Sequence, residues 1–120
     1  MANTIRFYHY EKCDGCRKAR KFLDARKVDY DAISIVEKPP SRKELETMLG
    51  RLGGELKRLF NTSGKVYRER GLSKILPSMK TGEALALLAK NGMLIKRPFL
   101  LTEGAGLVGF RPEEWKRVFS

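Results

Sequence analysis

The chain has 120 residues, of which 42% are hydrophobic and 32% are charged, and its formal net charge is +11. These values are typical of one globular domain with a buried core, and no apolar run reaches the roughly 18 residues that a membrane-spanning helix needs. The 25 Lys and Arg residues are interleaved with 14 Asp and Glu residues, so most of the charge is predicted to lie on a solvated surface. No sequence-specific binding of DNA is expected, because neither a helix-turn-helix pattern nor an aromatic-rich RNA signature accompanies the charge.

The first third of the chain predicts a βαβ unit with a pair of thiols at its first turn. Thr4 to Tyr8 is short and rich in apolar and aromatic residues, which favours a strand. Apolar residues at helical spacing predict a helix over 16–26, and alternating β-branched residues predict a strand over 28–36. Cys13 and Cys16 fall between the first strand and this helix.

A helical insertion is predicted over about residues 41–92, within a single domain that spans residues 1–120. Ser41 and Glu44 have the spacing of a capping box and therefore begin a helix. The glycine-punctuated stretch that follows predicts short helices joined by turns. A longer helix comes after Pro77, and Gly92 is its predicted C-terminal stop.

The last third predicts a return to β-structure and a closing helix. Residues 94–101 and 107–110 are predicted to pair as a hairpin around the turn "TEGAG". Pro112 is suited to the first position of a helix, and Trp115 would pack that helix on the sheet. The predicted fold class is α/β, with a small mixed sheet flanked by helices.

The cysteine pair admits three interpretations. A structural zinc site needs four ligands, and this chain offers two cysteines and only His9 as a histidine, so no metal is expected. The spacing can also arise by chance, in which case the thiols are idle in an interaction domain. A C-x-x-C motif at a strand-to-helix turn inside a βαβ unit is typical of a redox-active pair, and this is the interpretation that we favour.

The predicted geometry assigns different roles to the two thiols. Cys13 would face the unpaired N–H groups and the positive dipole end of the helix, which stabilise a thiolate. Lys12, Arg17 and Arg20 add positive charge nearby. Cys13 is therefore the predicted nucleophile, and Cys16, one turn into the helix, is predicted to resolve a mixed disulfide formed there.

The segments "YHYEKCDGCRKARKFLDARKVDYD", "GKVYRERGL", "LLAKNGMLIKRPFLL" and "GFRPEEW" together resemble the arsenate reductase and Spx family. The resemblance covers about Thr4 to Phe119 and implies a thioredoxin-like fold with a helical insertion. It places Cys13 at the nucleophile position and Arg97 at the position of an arginine that holds an oxyanion. Pro98 matches the proline whose peptide bond is cis and which faces the cysteine.

Two departures from the arsenate reductases bear on activity. The reductases bring three arginines to the anion, whereas Asn61 and Val108 occupy two of those positions here, and Asn61 can offer only neutral hydrogen bonds. Efficient arsenate reduction is therefore not expected. The additional Cys16 instead matches the Spx branch, which resembles a redox-sensing regulator acting on the C-terminal domain of the RNA polymerase α subunit.

Two functions stay open at this point. The first is a cytoplasmic thiol–disulfide oxidoreductase that uses Cys13 and Cys16, binds anionic substrates through Arg97 and Asn61, and is supported by Arg17 and Pro98. It would need no cofactor and would draw electrons from glutathione, glutaredoxin or thioredoxin. The second is a redox-switched regulator that binds the RNA polymerase α subunit. The cytoplasm is expected because the N-terminus lacks the apolar segment of a secretory signal, and a monomer is the default for this size.

Overall fold

The computed structural model describes residues 5–119, which form a four-stranded sheet and six α-helices. The strands are β1 (Arg6–His9), β2 (Asp31–Ser34), β3 (Phe99–Leu101) and β4 (Gly106–Val108). The α-helices are α1 (Asp14–Ala25), α2 (Arg42–Arg51), α3 (Lys65–Glu69), α4 (Leu72–Ile75), α5 (Thr81–Lys90) and α6 (Pro112–Val118). Short 3-10 helices cover Leu56–Leu59, Leu76–Ser78 and Gly92–Leu94.

The sheet is mixed, as predicted, and its strands lie in the order β2-β1-β3-β4. β1 and β2 are parallel, with α1 as their crossover, and β3 is antiparallel to both β1 and β4. The pairs Tyr8–Phe99 and Phe99–Val108 place the end of β1, the start of β3 and the end of β4 at one edge of the sheet. The predicted strand residue Thr4 lies outside the described part of the chain.

The two faces of the sheet are covered by different cores, because successive residues of a strand point to opposite faces. One face packs against α1 and α6 through a small cluster centred on the fully buried Trp115. The other face packs against the helical region between β2 and β3 through a larger, mainly aliphatic cluster. Phe7 belongs to the first cluster and its neighbour Tyr8 to the second, as the alternation requires.

Most predicted elements are present, with shorter strands than the sequence pattern suggests. Every described element between β2 and β3 is helical, and Ser41 and Glu44 form the predicted capping box of α2. The predicted end of the helix at Gly92 is right to within two residues, but Gly92 does not itself cap the helix. Helix α5 ends at Lys90 with Asn91 as its cap, whereas a Cβ atom at Gly92 would lie 1.8 Å from the carbonyl oxygen of Ile35. Gly92 is therefore required by close backbone contact.

No helix within residues 5–119 is both long and apolar enough to cross a membrane. Nor do His, Cys, Asp or Glu residues of this segment gather in any group of three or more that could hold a metal ion.

Candidate active site

Cys13 is the N-cap of α1, where the sequence placed it. Its backbone is extended, with φ −110° and ψ 114°, and its sulphur accepts a hydrogen bond from the backbone N–H of Cys16 at 3.2 Å. The Cys13 N–H donates to the carbonyl oxygen of Tyr10 at 3.2 Å, which fixes the turn that leads from β1 into the helix. The sulphur thus occupies the position that a serine or aspartate oxygen takes at other helix starts.

These contacts lower the pKa of the Cys13 thiol to about 6. The largest cause is donation from the Cys16 side chain to the Cys13 sulphur, and partial burial opposes it. The Cys16 backbone N–H and the positive charge of Arg97 lower the pKa further. Cys13 is therefore mostly thiolate at neutral pH while it stays half-exposed, and both properties are required of a nucleophile.

Cys16 has the opposite character. Its side chain is 3% exposed, and its pKa is raised because it donates to the Cys13 sulphur and because it is buried. The two free thiols therefore share one negative charge, which resides on Cys13. This arrangement places a half-exposed thiolate and a buried second thiol one helical turn apart.

Arg97 is the cation at this turn. Its guanidinium lies 4.9 Å from the centre of the Tyr10 ring, and its Nη1 donates to the carbonyl oxygen of Met93 at 3.5 Å. The ring, the carbonyl and the Met93 sulphur at 3.8 Å hold the half-buried arginine without neutralising it. Its charge is consequently available to the Cys13 thiolate or to an anion beside it.

Pro98 faces the thiol turn. The Arg97–Pro98 peptide bond is cis, as the resemblance implied. A Cβ atom on Gly15 would lie 3.6 Å from Pro98 Cδ and 3.9 Å from the Cys13 sulphur. Because Gly15 has no side chain, the sulphur is left open on this side.

The side chains of two other predicted residues, Arg17 and Asn61, make no hydrogen bond to either thiol within residues 5–119. Arg17 forms an ion pair with Asp14 and donates to the carbonyl oxygen of Glu11 at 3.3 Å, so it braces the exposed first turn of α1. Asn61 is held by donation of its N–H to the Leu94 carbonyl oxygen at 2.7 Å. No hydrogen bond within residues 5–119 joins its side chain to Cys13 or Arg97.

Sequence reasoning missed two residues that position the site. Tyr10 supplies the ring under Arg97 and the carbonyl oxygen for Cys13, and Met93 supplies the carbonyl and sulphur contacts to Arg97. Tyr10 lies inside the quoted motif region, but no spacing rule indicates an arginine more than 80 residues away. Met93 carried no signal, because an apolar residue after a helix is ordinarily read as core.

The chain is similar in sequence to several known proteins, and the model of the ArsC family matches its residues 8–118. Uncharacterized protein YusI of Bacillus subtilis is 45% identical over 114 residues, which cover 94% of this chain and 96% of YusI. The global transcriptional regulator Spx of Streptococcus pyogenes is 29% identical over 108 residues, covering 90% of this chain and 79% of Spx.

Solved structures agree with the sequence relatives. An ArsC-family-related protein from Bacteroides fragilis superposes with a TM-score of 0.92 at 43% identity, covering 98% of this chain and 99% of that one. A possible arsenate reductase from Streptococcus mutans UA159 gives 0.87 at 43% identity, with coverage of 96% and 99%. The thioredoxin-like fold expected from the sequence is thereby confirmed, and the chain belongs to the ArsC family.

Proposed function

We propose that this protein is a thiol–disulfide oxidoreductase in which Cys13 attacks and Cys16 resolves. The observation that carries the proposal is the helix-capping Cys13 sulphur, which accepts the Cys16 N–H at 3.2 Å and has a pKa of about 6. A half-exposed thiolate beside a buried second thiol is suited to a two-step exchange with a substrate disulfide.

The first step forms a mixed disulfide. The Cys13 thiolate attacks one sulphur of a substrate disulfide, a bond forms between Cys13 and that sulphur, and the other substrate sulphur leaves as a thiolate. The negative charge on Cys13 then disappears, and with it the main cause of the raised pKa of Cys16. Attack by Cys16 is thus delayed until Cys13 is occupied.

The second step releases the substrate. Cys16 gives its proton to solvent or to the departing thiolate and attacks the Cys13 sulphur, so that the Cys13–Cys16 bond forms and the remaining substrate half leaves as a thiolate. The substrate gains two electrons and the protein dithiol loses two. A thiol reductant such as glutathione or thioredoxin must return them, as two thiols that become a disulfide.

Arg97 is the proposed anion-binding residue of this reaction. Its guanidinium stays unneutralised beside Cys13, and Asn61 would contribute a neutral hydrogen bond once substrate is bound. Val108 is a buried residue of β4 that pairs with Phe99, so it supplies no charge. A single arginine is expected to hold an oxyanion weakly, and we expect arsenate reduction to be inefficient.

The test is a trap that stops the reaction after its first step. The Cys16→Ser variant, expressed in a bacterial cytoplasm, should retain glutathione or a defined set of protein thiols linked to Cys13, as identified by mass spectrometry. The Cys13→Ser and Cys16→Ser double variant is the control and should retain none. An unmodified Cys13 that alkylates slowly at pH 7 would refute the proposal, because an activated thiolate would then be absent.

A redox-sensing regulator is a second candidate, favoured by the relatives that are named as regulators, including Spx. The same thiol pair would then react once and change the affinity for a partner such as the RNA polymerase α subunit. Two measurements separate the candidates. Repeated turnover of a disulfide substrate supports the enzyme, whereas binding of the α subunit by only one of the reduced and oxidised forms supports the regulator.

A further inference from the structure

A cleft of about 450 Å³ lies beside the proposed thiol site and takes no part in the exchange described above. We call it the basic cleft, because four of its lining residues are positively charged: Lys57, Arg58, Lys96 and Arg111. Among the residues that the structure describes, Glu55 is the one carboxylate in the lining. The volume lies within the usual range of ligand sites, which runs from roughly 300 to 1,000 Å³.

The charges of the basic cleft are poorly neutralised. No ion pair involves Lys57 or Lys96 among the described residues 5–119. Arg58 and Arg111 share a single carboxylate, that of Glu114, at 4.0 and 3.8 Å, which is the outer limit for an ion pair. The cleft therefore keeps a net positive charge that a bound anion would offset.

The walls of the basic cleft are fixed by backbone contacts. The Lys96 N–H donates to the Leu59 carbonyl oxygen at 2.8 Å, and the Gly109 N–H donates to the Pro98 carbonyl oxygen at 2.8 Å. Gly109 has φ +71°, and a Cβ atom there would lie 3.1 Å from Lys96 Cε, so the glycine leaves room for the lysine side chain. Lys96 therefore lies in the same fixed segment of backbone as Arg97 and Pro98.

Apolar groups complete the lining. Half-buried Phe110 presents carbon surface among the charged groups, and Phe60 and Val108 are almost fully buried in the lining. A small inorganic anion would leave this surface and most of the volume uncovered. The combination of several cations with aromatic carbon is better matched by a carboxylate that is part of a peptide.

The basic cleft and Cys13 lie at the same end of the sheet. Phe99 pairs with both Tyr8 and Val108, so β4 ends at the edge where β1 runs into the cysteine turn. Pro98 joins the two places: its carbonyl oxygen accepts from the Gly109 N–H of the cleft at 2.8 Å, and its Cδ lies 3.6 Å from the Cβ position of Gly15 in the cysteine turn. Lys96 is two residues from Pro98, so the path from the turn to Lys96 is on the order of 10 Å. A peptide chain covers about that distance in three extended residues.

From this placement we infer that the basic cleft binds the carboxylate of a peptide disulfide while the sulphur of that peptide reacts with Cys13. The inference rests on the proposed oxidoreductase function and names its substrate class: peptidyl disulfides with an acidic group about three residues from the cysteine. The chemistry of the step is unchanged. The Cys13 thiolate bonds to the peptide sulphur, and the other sulphur leaves as a thiolate.

The test compares peptides that differ in one charge. The two peptides are Cys-Gly-Gly-Glu and Cys-Gly-Gly-Gln, each acetylated at the N-terminus and amidated at the C-terminus. Each carries a neutral thiopyridyl leaving group on its cysteine sulphur and is mixed with the reduced protein. Release of thiopyridone gives the rate of attack by Cys13. We expect the Glu peptide to react about tenfold faster at low salt, because several weak exposed ion pairs act together, and this preference should shrink as salt is added.

Matched variants locate the effect. The double variant Lys57→Glu and Lys96→Glu should remove the preference for the Glu peptide, measured as the ratio of the Glu rate to the Gln rate, and the rate with neutral dithiodipyridine corrects for any change in the reactivity of Cys13. The control double variant Lys43→Glu and Lys74→Glu reverses the same number of charges at exposed positions outside the cleft and should keep the preference. Glutathione disulfide is a second substrate. If the cleft variant slows the reaction with glutathione disulfide, a small peptide is the source of the carboxylate. If it slows only the reaction with the Glu peptide, the source is an extended segment.

The outcomes are distinguishable. Equal rates for the Glu and Gln peptides, or a preference that survives reversal of Lys57 and Lys96, would overturn the inference and leave the oxidoreductase function standing. Failure of Cys13 to react with any of the disulfides, including neutral dithiodipyridine, would overturn both.

Discussion

The N-termini of α1 and α2 are capped by different kinds of side chain. Each helix begins with N–H groups that lack a partner within the helix. Ser41 caps α2 with a hydroxyl that accepts the Glu44 N–H at 3.1 Å, and the Glu44 side chain returns a bond to the Ser41 N–H at 2.9 Å. Cys13 caps α1 with a sulphur that accepts the Cys16 N–H at 3.2 Å.

The difference shows what each helix start contributes. The capping box of α2 pairs two backbone donors with the Ser41 hydroxyl and the Glu44 carboxylate and adds only stability. At α1 the acceptor is a titratable sulphur, so the same hydrogen bond that begins the helix also stabilises a reactive anion. One position therefore links helix stability to chemistry, and substitutions at the two caps should separate these effects.

The largest effect is expected at Cys13 itself. Cys13→Ser should abolish disulfide reduction, because the attacking sulphur is gone, and should change the free energy of unfolding by no more than about 1 kcal/mol, because serine is a good N-cap. Turnover at pH 7 measures the first quantity, and urea denaturation at pH 5.5, where the Cys13 thiol is mostly protonated, measures the second. Residual turnover in this variant would show that the capping sulphur is not the nucleophile.

A smaller effect is expected when the donor to Cys13 is removed. Cys16→Ala should raise the pKa of Cys13 towards its ordinary value, because donation from the Cys16 side chain is the largest cause of the lowered pKa. Alkylation at pH 6.5 should slow about fivefold as the thiolate fraction falls. Cys16→Ser keeps an O–H donor and should retain most of the rate, and equal rates for the Ala and Ser variants would contradict this account.

Arg97 should matter less than Cys16 for the same pKa. Arg97→Gln removes the positive charge beside Cys13, which ranks below the Cys16 hydrogen bonds among the causes of the lowered pKa. The alkylation rate plotted against pH should shift its midpoint upwards, by less than in Cys16→Ala. Arg97→Lys keeps the charge and is the matched control. A larger shift of the midpoint in Arg97→Gln than in Cys16→Ala would contradict this ranking.

Stability should depend on pH at α1. The pKa of Cys13 is about 6 in the folded protein and about 8.5 in an unfolded chain, so the thiolate stabilises the fold most above pH 8.5. This contribution decreases as the pH falls and is lost below about 6. Denaturation of the reduced protein between pH 9 and 5.5, taken relative to Cys13→Ser, should reveal it, and a constant difference would contradict it.

The smallest effect is expected at the other cap. Ser41→Ala should lower the free energy of unfolding by about 1 kcal/mol through loss of the α2 cap. Its effect should not depend on pH between 6 and 9, and the alkylation rate of Cys13 should stay unchanged. A changed rate would indicate that the two helix starts are coupled through the sheet.

Both caps were predictable from the sequence, because their signals are local. The strand before Cys13 and the helical spacing after it placed the thiol at a helix start, and Ser41 with Glu44 fits a four-residue pattern. The prediction began α1 at Cys16 rather than Asp14, since the first helical turn is exposed and shows no apolar periodicity.

Features built from distant segments were not predictable. The basic cleft combines Lys57 and Arg58 with Lys96 and Arg111, and nothing in those spacings indicates that they meet. Sequence patterns report which face of an element is apolar, but they do not report which surface charges converge after folding. The contact of Gly92 with Ile35 was not predictable for a related reason, because a glycine after a helix has the same local appearance whether it only follows the helix or also admits a neighbouring backbone.

Gly92 also helps to hold Arg97 in place beside the cysteine turn. Its backbone lies against the carbonyl oxygen of Ile35, whose N–H donates to the His9 carbonyl oxygen at 2.9 Å. Met93, the next residue, holds Arg97. Through Gly92, Arg97 is therefore positioned relative to β1 and to the residue that follows β2. Cys13 and Arg97 are 84 positions apart in the sequence, yet both are fixed to the same part of the sheet.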